Sequence, residues 1–153
     1  MNQLSIQGVS RTFTSHKGVS TQALQPVDFE VRENDFVTIL GPSGCGKSTM
    51  LRIVAGLDFP TTGQVLLDGK LVQEPGADRG MVFQSYTLFP WLTVAQNIRF
   101  GLREKGVSEA IQKERSDYFI AKVGLRGFEH HYPKQLSGGM QQRTAIARAL
   151  AND

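Results

Sequence analysis

The chain carries one cysteine, Cys45, among 153 residues, so no internal disulfide can form. No apolar run approaches the roughly 18 residues that a membrane-crossing helix needs. The opening Met1-Asn2-Gln3-Leu4-Ser5-Ile6 lacks the basic and apolar regions of a secretory signal. Lysine and arginine nowhere form a block and the net charge is only +3, which fits a mixed solvated surface and argues against nucleic acid as a partner. Internal repeats and low-complexity linkers are absent too. What remains, 40% apolar and 20% charged residues, reads as a cytosolic globular chain of one domain's worth.

The densest feature is Gly41-Pro42-Ser43-Gly44-Cys45-Gly46-Lys47-Ser48-Thr49. Gly41, Gly46, Lys47 and Ser48 fit the phosphate-binding loop G-x-x-x-x-G-K-[ST]. Glycines let successive backbone N–H groups face a phosphate without an intervening Cβ. Lys47 can reach β- and γ-phosphates, and the Ser48 hydroxyl can ligate Mg²⁺. The context is right. Phe36-Val37-Thr38-Ile39-Leu40 reads as a short buried strand. Ser48 to Leu57 reads as a helix with Leu51, Val54 and Ala55 on one face and Gly56 near its end. Strand, loop and helix together set phosphates at a helix N-terminus.

Further strands are predicted where apolar and polar residues alternate, over Leu4–Gly8 and Val27–Val31, with a polar loop at 14–22 between them and a turn at Glu33-Asn34-Asp35. Pro60 to Gly63 turns the chain. Gln64–Leu67, Asp68-Gly69 and Leu71-Val72 read as a tight hairpin. Gly80–Phe83 reads as one more strand. Helices follow: one capped by Thr93 with Val94, Ile98 and Phe100; one capped by Ser108 and running through Val123 with Ala110, Ile111, Tyr118, Phe119 and Val123; and one over Gly139–Leu150 with Ile146, Ala147 and Leu150. Gly124 reads as a C-cap.

Leu136-Ser137-Gly138-Gly139-Met140-Gln141-Gln142-Arg143 opens the last helix with a hydroxyl and two glycines, a second anion-ready N-terminus. With the following Ala-Ile-Ala-Arg-Ala-Leu it resembles the signature motif of ATP-binding-cassette (ABC) ATPases, and the resemblance runs along essentially the whole chain. It implies an α/β fold: a P-loop NTPase core with an antiparallel β subdomain and an α-helical signature subdomain, residues 1–84 and 85–153. It implies that ATP and Mg²⁺ are bound through Gly41 to Thr49, with Lys47 on the phosphates and Ser48 on the metal. Gln84 matches the Q-loop glutamine, which contributes to the Mg²⁺ and attacking-water region and links it to the transmembrane partner. Phe13 fits either the aromatic that stacks on adenine or ordinary core packing. Ser137, Gly138 and Gly139 would cap ATP held by a second nucleotide-binding domain, in a head-to-tail homodimer.

In the family, the segment after the signature is an apolar strand ending in Asp-Glu, followed by the D-loop and the switch histidine. None of these follows in Ala151-Asn152-Asp153. The chain therefore reads as the N-terminal portion of a longer ATPase, cut before the Walker B strand, weakly stable and without turnover of its own. The implied function is the energy-coupling subunit of an importer on the cytoplasmic face of a membrane. Its permease would meet the apolar Tyr86, Leu88, Phe89, Trp91 and Leu92, and a substrate-binding protein would act indirectly. Pro75 to Gly80 and Leu88 to Val94 resemble the nitrate, sulfonate and taurine importers. Phe83 to Tyr86 with Phe100-Gly101-Leu102 also resembles polyamine and iron importers. An isolated nucleotide-binding module and a non-transport ABC ATPase are the alternatives.

Overall fold

The computed structural model describes residues 3–152; Met1 and Asn2, read above for a signal, and Asp153, read as the chain's end, lie outside the described residues. The chain forms two compact units, Met1–Arg79 and Gly80–Asp153.

The first unit is built on an antiparallel sheet. Strands β1 (Gln3–Thr14), β2 (Ser20–Arg32), β3 (Thr62–Leu67) and β4 (Lys70–Leu71) lie in the order β2-β1-β3-β4. The first hairpin is longer than its alternation suggests. Thr14 pairs with Ser20 and Thr12 with Gln22, so the polar loop shrinks to residues 15–19. The Asp68-Gly69 turn is the expected tight one, with φ of 51° and 76°. Register breaks between Ile6 and Thr12 bend β1, and there the Asp28 carboxylate accepts the Gly8 N–H at 2.6 Å. Ile6, Val9, Leu24 and Val65 form a core with Met50 and Ile53 of helix α1 (Lys47–Val54).

Two predicted strands are not there. Phe36–Leu40 forms no strand and pairs with no described strand, and Phe36 and Leu40 are 95% and 87% exposed. A strand obtains its hydrogen bonds from neighbours, and no described strand lies beside this run. Between it and the α1/β2 face runs an apolar groove of about 540 Å³, lined by Leu24, Val27, Phe29, Val37, Ile39 and Met50. Gly80–Phe83 likewise forms no strand. The buried face of α1 is also shifted: Met50 and Ile53 face the sheet, while Leu51 turns outward at 49% exposure.

The second unit is helical. α2 (Val94–Glu104) packs against both α3 (Glu109–Lys122) and α4 (Gly138–Leu150), with a 3-10 turn at Pro133–Gln135 ahead of α4. Its core is Val94, Ala95, Ile98, Leu102, Ile120, Leu125, Leu136, Ala147 and Ala151. Thr93 caps α2 through a capping box with Gln96. α2 and α3 end alike: the N–H of Val107 reaches Leu102 O and that of Leu125 reaches Ile120 O, with Gly106 and Gly124 at positive φ between. Two apolar faces differ from expectation. On α3, Ser116 and Ile120 are buried while Ile111 and Tyr118 lie outside; on α4, Thr144, Ala145 and Ala147 are buried while Leu150 is 47% exposed. Small residues let α4 approach its neighbours closely, and Ser116 is admitted because its hydroxyl accepts from Arg99 Nε at 2.7 Å and donates to Lys113 O.

Candidate phosphate-binding site

In the first unit, residues 41–46 curl into the start of α1. Gly46 is the N-cap residue, at φ 95°. A Cβ there would stand 2.4 Å from Ala23 O, so both the dihedral and the space require glycine. The first turn of α1 has no side-chain cap and no acidic residue. Its N–H groups are the orphan donors of a helix start, and the helix dipole adds partial positive charge. Lys47 folds back over the loop, its Nζ donating to Gly41 O (2.8 Å) and Pro42 O (2.7 Å) and lying 3.5 Å from Cys45 Sγ. Among the described residues no carboxylate pairs with it. Gly41 to Cys45 and Ser48 are exposed, and Thr49 is half-buried.

This donor set fits a polyanion. Uncapped amides, a helix N-terminus and an ammonium bonded to backbone carbonyls lie in one short segment, and nothing acidic in the first turn opposes them. A metal fits less completely. Ser48 offers one hard oxygen, and among the described residues no group of three or more His, Cys, Asp and Glu could hold an ion. Mg²⁺ would therefore share Ser48 with phosphate oxygens rather than sit in a protein cage.

Phe13 lies near the end of β1, 43% exposed, with the Arg11 guanidinium 4.5 Å from its ring centroid. Phe13 is not among the core residues of this unit.

The second unit holds the other predicted residues. Gln84 is exposed, in a turn. Tyr86 and Thr87 follow with φ of 60° and 43°, uncommon for residues with a Cβ. Ser137, Gly138 and Gly139 are exposed at the start of α4. The Ser137 hydroxyl accepts from Met140 N at a long 3.4 Å, so it is only loosely engaged. Beneath, Gln141 Nε2 donates to Pro133 O and Leu136 O and anchors the entry to the helix.

Two positioning residues escaped the sequence reading. Asn97 is fully buried; its Oδ1 accepts from Phe89 N and its Nδ2 donates to Phe89 O, Leu92 O and Thr93 O. It fixes the apolar turn that carries Trp91, which is 69% exposed. Arg148 donates to Thr87 O (2.9 Å) and Thr87 Oγ1 (3.3 Å) and lies over Phe89; burial pushes its pKa below the ordinary arginine value. The one available signal was an amide inside the apolar stripe Val94, Asn97, Ile98.

Comparison with known proteins agrees with this geometry. The ABC transporter family matches residues 24–153. An uncharacterized ABC transporter ATP-binding protein of Methanocaldococcus jannaschii is 57% identical over 99% of this chain and 56% of its own length. The nitrate import ATP-binding protein NrtD of Synechocystis is 49% identical over 97% of this chain and 55% of its own length. The chain thus spans about half the length of these curated relatives. Among solved structures, the ATP-binding cassette MJ0796, in a dimeric post-hydrolysis state bound to ADP and Pi, superposes with a TM-score of 0.87 at 38% identity, over 97% of this chain and 69% of that one.

Proposed function

Because the chain belongs to the ABC transporter family, we propose that it is the ATP-binding part of an importer's energy-coupling ATPase. Its fold is that of an ATP-binding cassette. The observation that carries the reading is the Gly46 loop: an uncapped helix start crossed by a lysine that has only carbonyl partners. Gly41 to Thr49 wrap the phosphates, and Lys47 exchanges its two carbonyls for β- and γ-phosphate oxygens. Ser48 in the first unit and Gln84 in the second are the residues that would hold the metal. Mg²⁺, when bound, neutralises charge on the phosphates. Phe13 stacks on the adenine. Ser137, Gly138 and Gly139 face a nucleotide held by a second copy of the cassette, in a two-fold arrangement. The long hydrogen bond of Ser137 leaves its hydroxyl available for that contact. Residues 85–100 face a membrane-embedded permease on the cytoplasmic side, with exposed Trp91 as the anchor. The cargo belongs to the nitrate, sulfonate and taurine class. It does not touch this chain, so the class follows from ancestry alone.

The test is ATP affinity of the full-length protein by calorimetry. Lys47→Ala removes a charge-assisted contact of about 1.5–3 kcal/mol, so ATP should bind roughly ten- to a hundred-fold more weakly. Equal affinity in mutant and wild type overturns the reading.

A further inference from the structure

We propose that Arg11, held in place by Asp58, positions the Phe13 ring for the nucleobase and ties it to the helix of the phosphate loop. The inference rests on the reading of Phe13 as the base-stacking aromatic.

Arg11 and Phe13 are two residues apart on β1. The guanidinium covers one face of the ring, at 4.5 Å, and the ring remains 43% exposed. A planar guanidinium on an aromatic face is a favourable pairing, and the partly exposed ring can still take a second flat partner. Arg11 is itself restrained. Its Nη2 lies 2.7 Å from Asp58 Oδ1, and the two side chains are only 23% and 16% exposed. Its Nε is buried with no hydrogen-bond partner. The orientation of the guanidinium is therefore set by Asp58 at one end and by the ring at the other.

Asp58 stands just past the C-terminus of α1. Leu57 N–H closes that helix on Arg52 O at 2.8 Å, and Asp58 Oδ1 also accepts from Phe59 N. The following residues are stitched to β1: Thr61 N–H reaches Ser10 O, Thr12 N–H reaches Thr61 Oγ1 at 2.9 Å, and the Ser10 and Thr62 hydroxyls are 2.7 Å apart. A continuous path thus runs from the phosphate-loop helix through Asp58 and Arg11 to Phe13. It fixes the aromatic relative to Lys47 within one unit. The ion pair and the ring contact of Arg11 involve no residue of the phosphate loop, so the pair serves recognition of the base and not of the phosphates.

The experiment compares ATP with inorganic tripolyphosphate, by calorimetry, on the full-length protein. Phe13→Ala should weaken ATP about tenfold and leave tripolyphosphate unchanged. Asp58→Asn and Arg11→Met should each weaken ATP about three- to tenfold, again without effect on tripolyphosphate. Arg11→Lys, which keeps the charge but not the plane, should fall between wild type and Arg11→Met. Equal loss of both ligands in Asp58→Asn and Arg11→Met would reduce the pair to general support of the fold and overturn the inference. So would wild-type ATP affinity in both while Phe13→Ala is weakened. If Phe13→Ala itself binds ATP like wild type, the base-stacking reading fails, and the inference with it.

Discussion

Phe36–Leu40 and Val94–Leu102 are both apolar stretches, and they meet opposite fates. In α2, Val94, Ile98 and Leu102 are almost wholly buried. In the run before the phosphate loop, Phe36 and Leu40 face outward, and Val37 and Ile39 border an open groove. The difference lies in where each element finds its hydrogen bonds. A helix satisfies its backbone within itself and needs only one packed face. A strand depends on neighbours that can be remote in sequence. The helical unit closes its core with α3 and α4 from the adjoining residues. The sheet unit has the apolar run of a central strand but no described strand to lie beside it.

That contrast gives the largest expected effect. Ile98→Ala removes a fully buried side chain and should cost about 2–5 kcal/mol in urea unfolding of the 153-residue chain. Phe36→Ala, at 95% exposure, should stay within about 0.5 kcal/mol. A cost for Phe36→Ala close to that of Ile98→Ala would mean that the run is packed in solution, and the contrast between the units would dissolve.

The two glycine-bearing helix starts differ in the same direction, with a smaller effect. A Cβ at Gly46 meets Ala23 O at 2.4 Å and forces a left-handed φ of 95° on alanine. Gly46→Ala should destabilise by about 1–3 kcal/mol. A Cβ at Gly139 meets nothing within 4 Å. Gly139→Ala should be neutral or stabilising by up to about 1 kcal/mol, because alanine suits a helix better. Thermal melts of the two variants separate the cases. If Gly139→Ala impairs ATP-driven association while melting like wild type, the need for glycine there comes from the ligand and not from the fold.

Legibility in the sequence follows the same division. The phosphate loop could be read because its chemistry is contiguous: nine residues carry the glycines, the lysine and the hydroxyl. Thr93, Gly124 and Asp68-Gly69 could be read because caps and tight turns are local. The Phe36–Leu40 run reads as a strand from its residue types, but strand pairing is not local, and among the described residues the run has no partner. The buried faces of α3 and α4 were misread because hydrophobicity alone ranks Ile111 and Leu150 above Ser116 and Thr144. The structure buries the latter two, each hydroxyl supplied with a partner, and Thr144 Oγ1 donates to Met140 O. Arg148 gives no signal in the sequence, and Asn97 gives only an amide inside an apolar stripe, because each acts on a backbone segment whose position sequence alone does not reveal.

A cap tests the helical unit at the level of single hydrogen bonds. Thr93 accepts from Gln96 N, and Gln96 Oε1 accepts from Thr93 N. Thr93→Ala should cost about 1 kcal/mol. Ser108 precedes α3 without any side-chain cap bond, so Ser108→Ala should cost distinctly less. Equal costs, measured by urea unfolding, would show that N-cap preference acts here through the unfolded chain rather than through these bonds.

The smallest expected effect is a pH dependence in the same unit. Hydrogen bonds to backbone N–H groups, its own and that of Gly127 (3.0 Å), hold the Glu129 carboxyl below its ordinary value of 4.5, with nearby His130 adding to them. A carboxylate whose folded pKa is depressed contributes stability that is complete at neutral pH and above the unfolded value. The contribution is lost as pH falls through the ordinary value and on toward the folded one. The site is close to solvent, so screening keeps the effect below that of Thr93. Glu129→Gln should lower stability slightly at pH 7 and match wild type at strongly acid pH, where the native carboxyl is protonated too. Urea midpoints of the two proteins measured from pH 7 downward should therefore converge. Parallel curves over that range would show that the Gly127 contact acts through shape and not through charge.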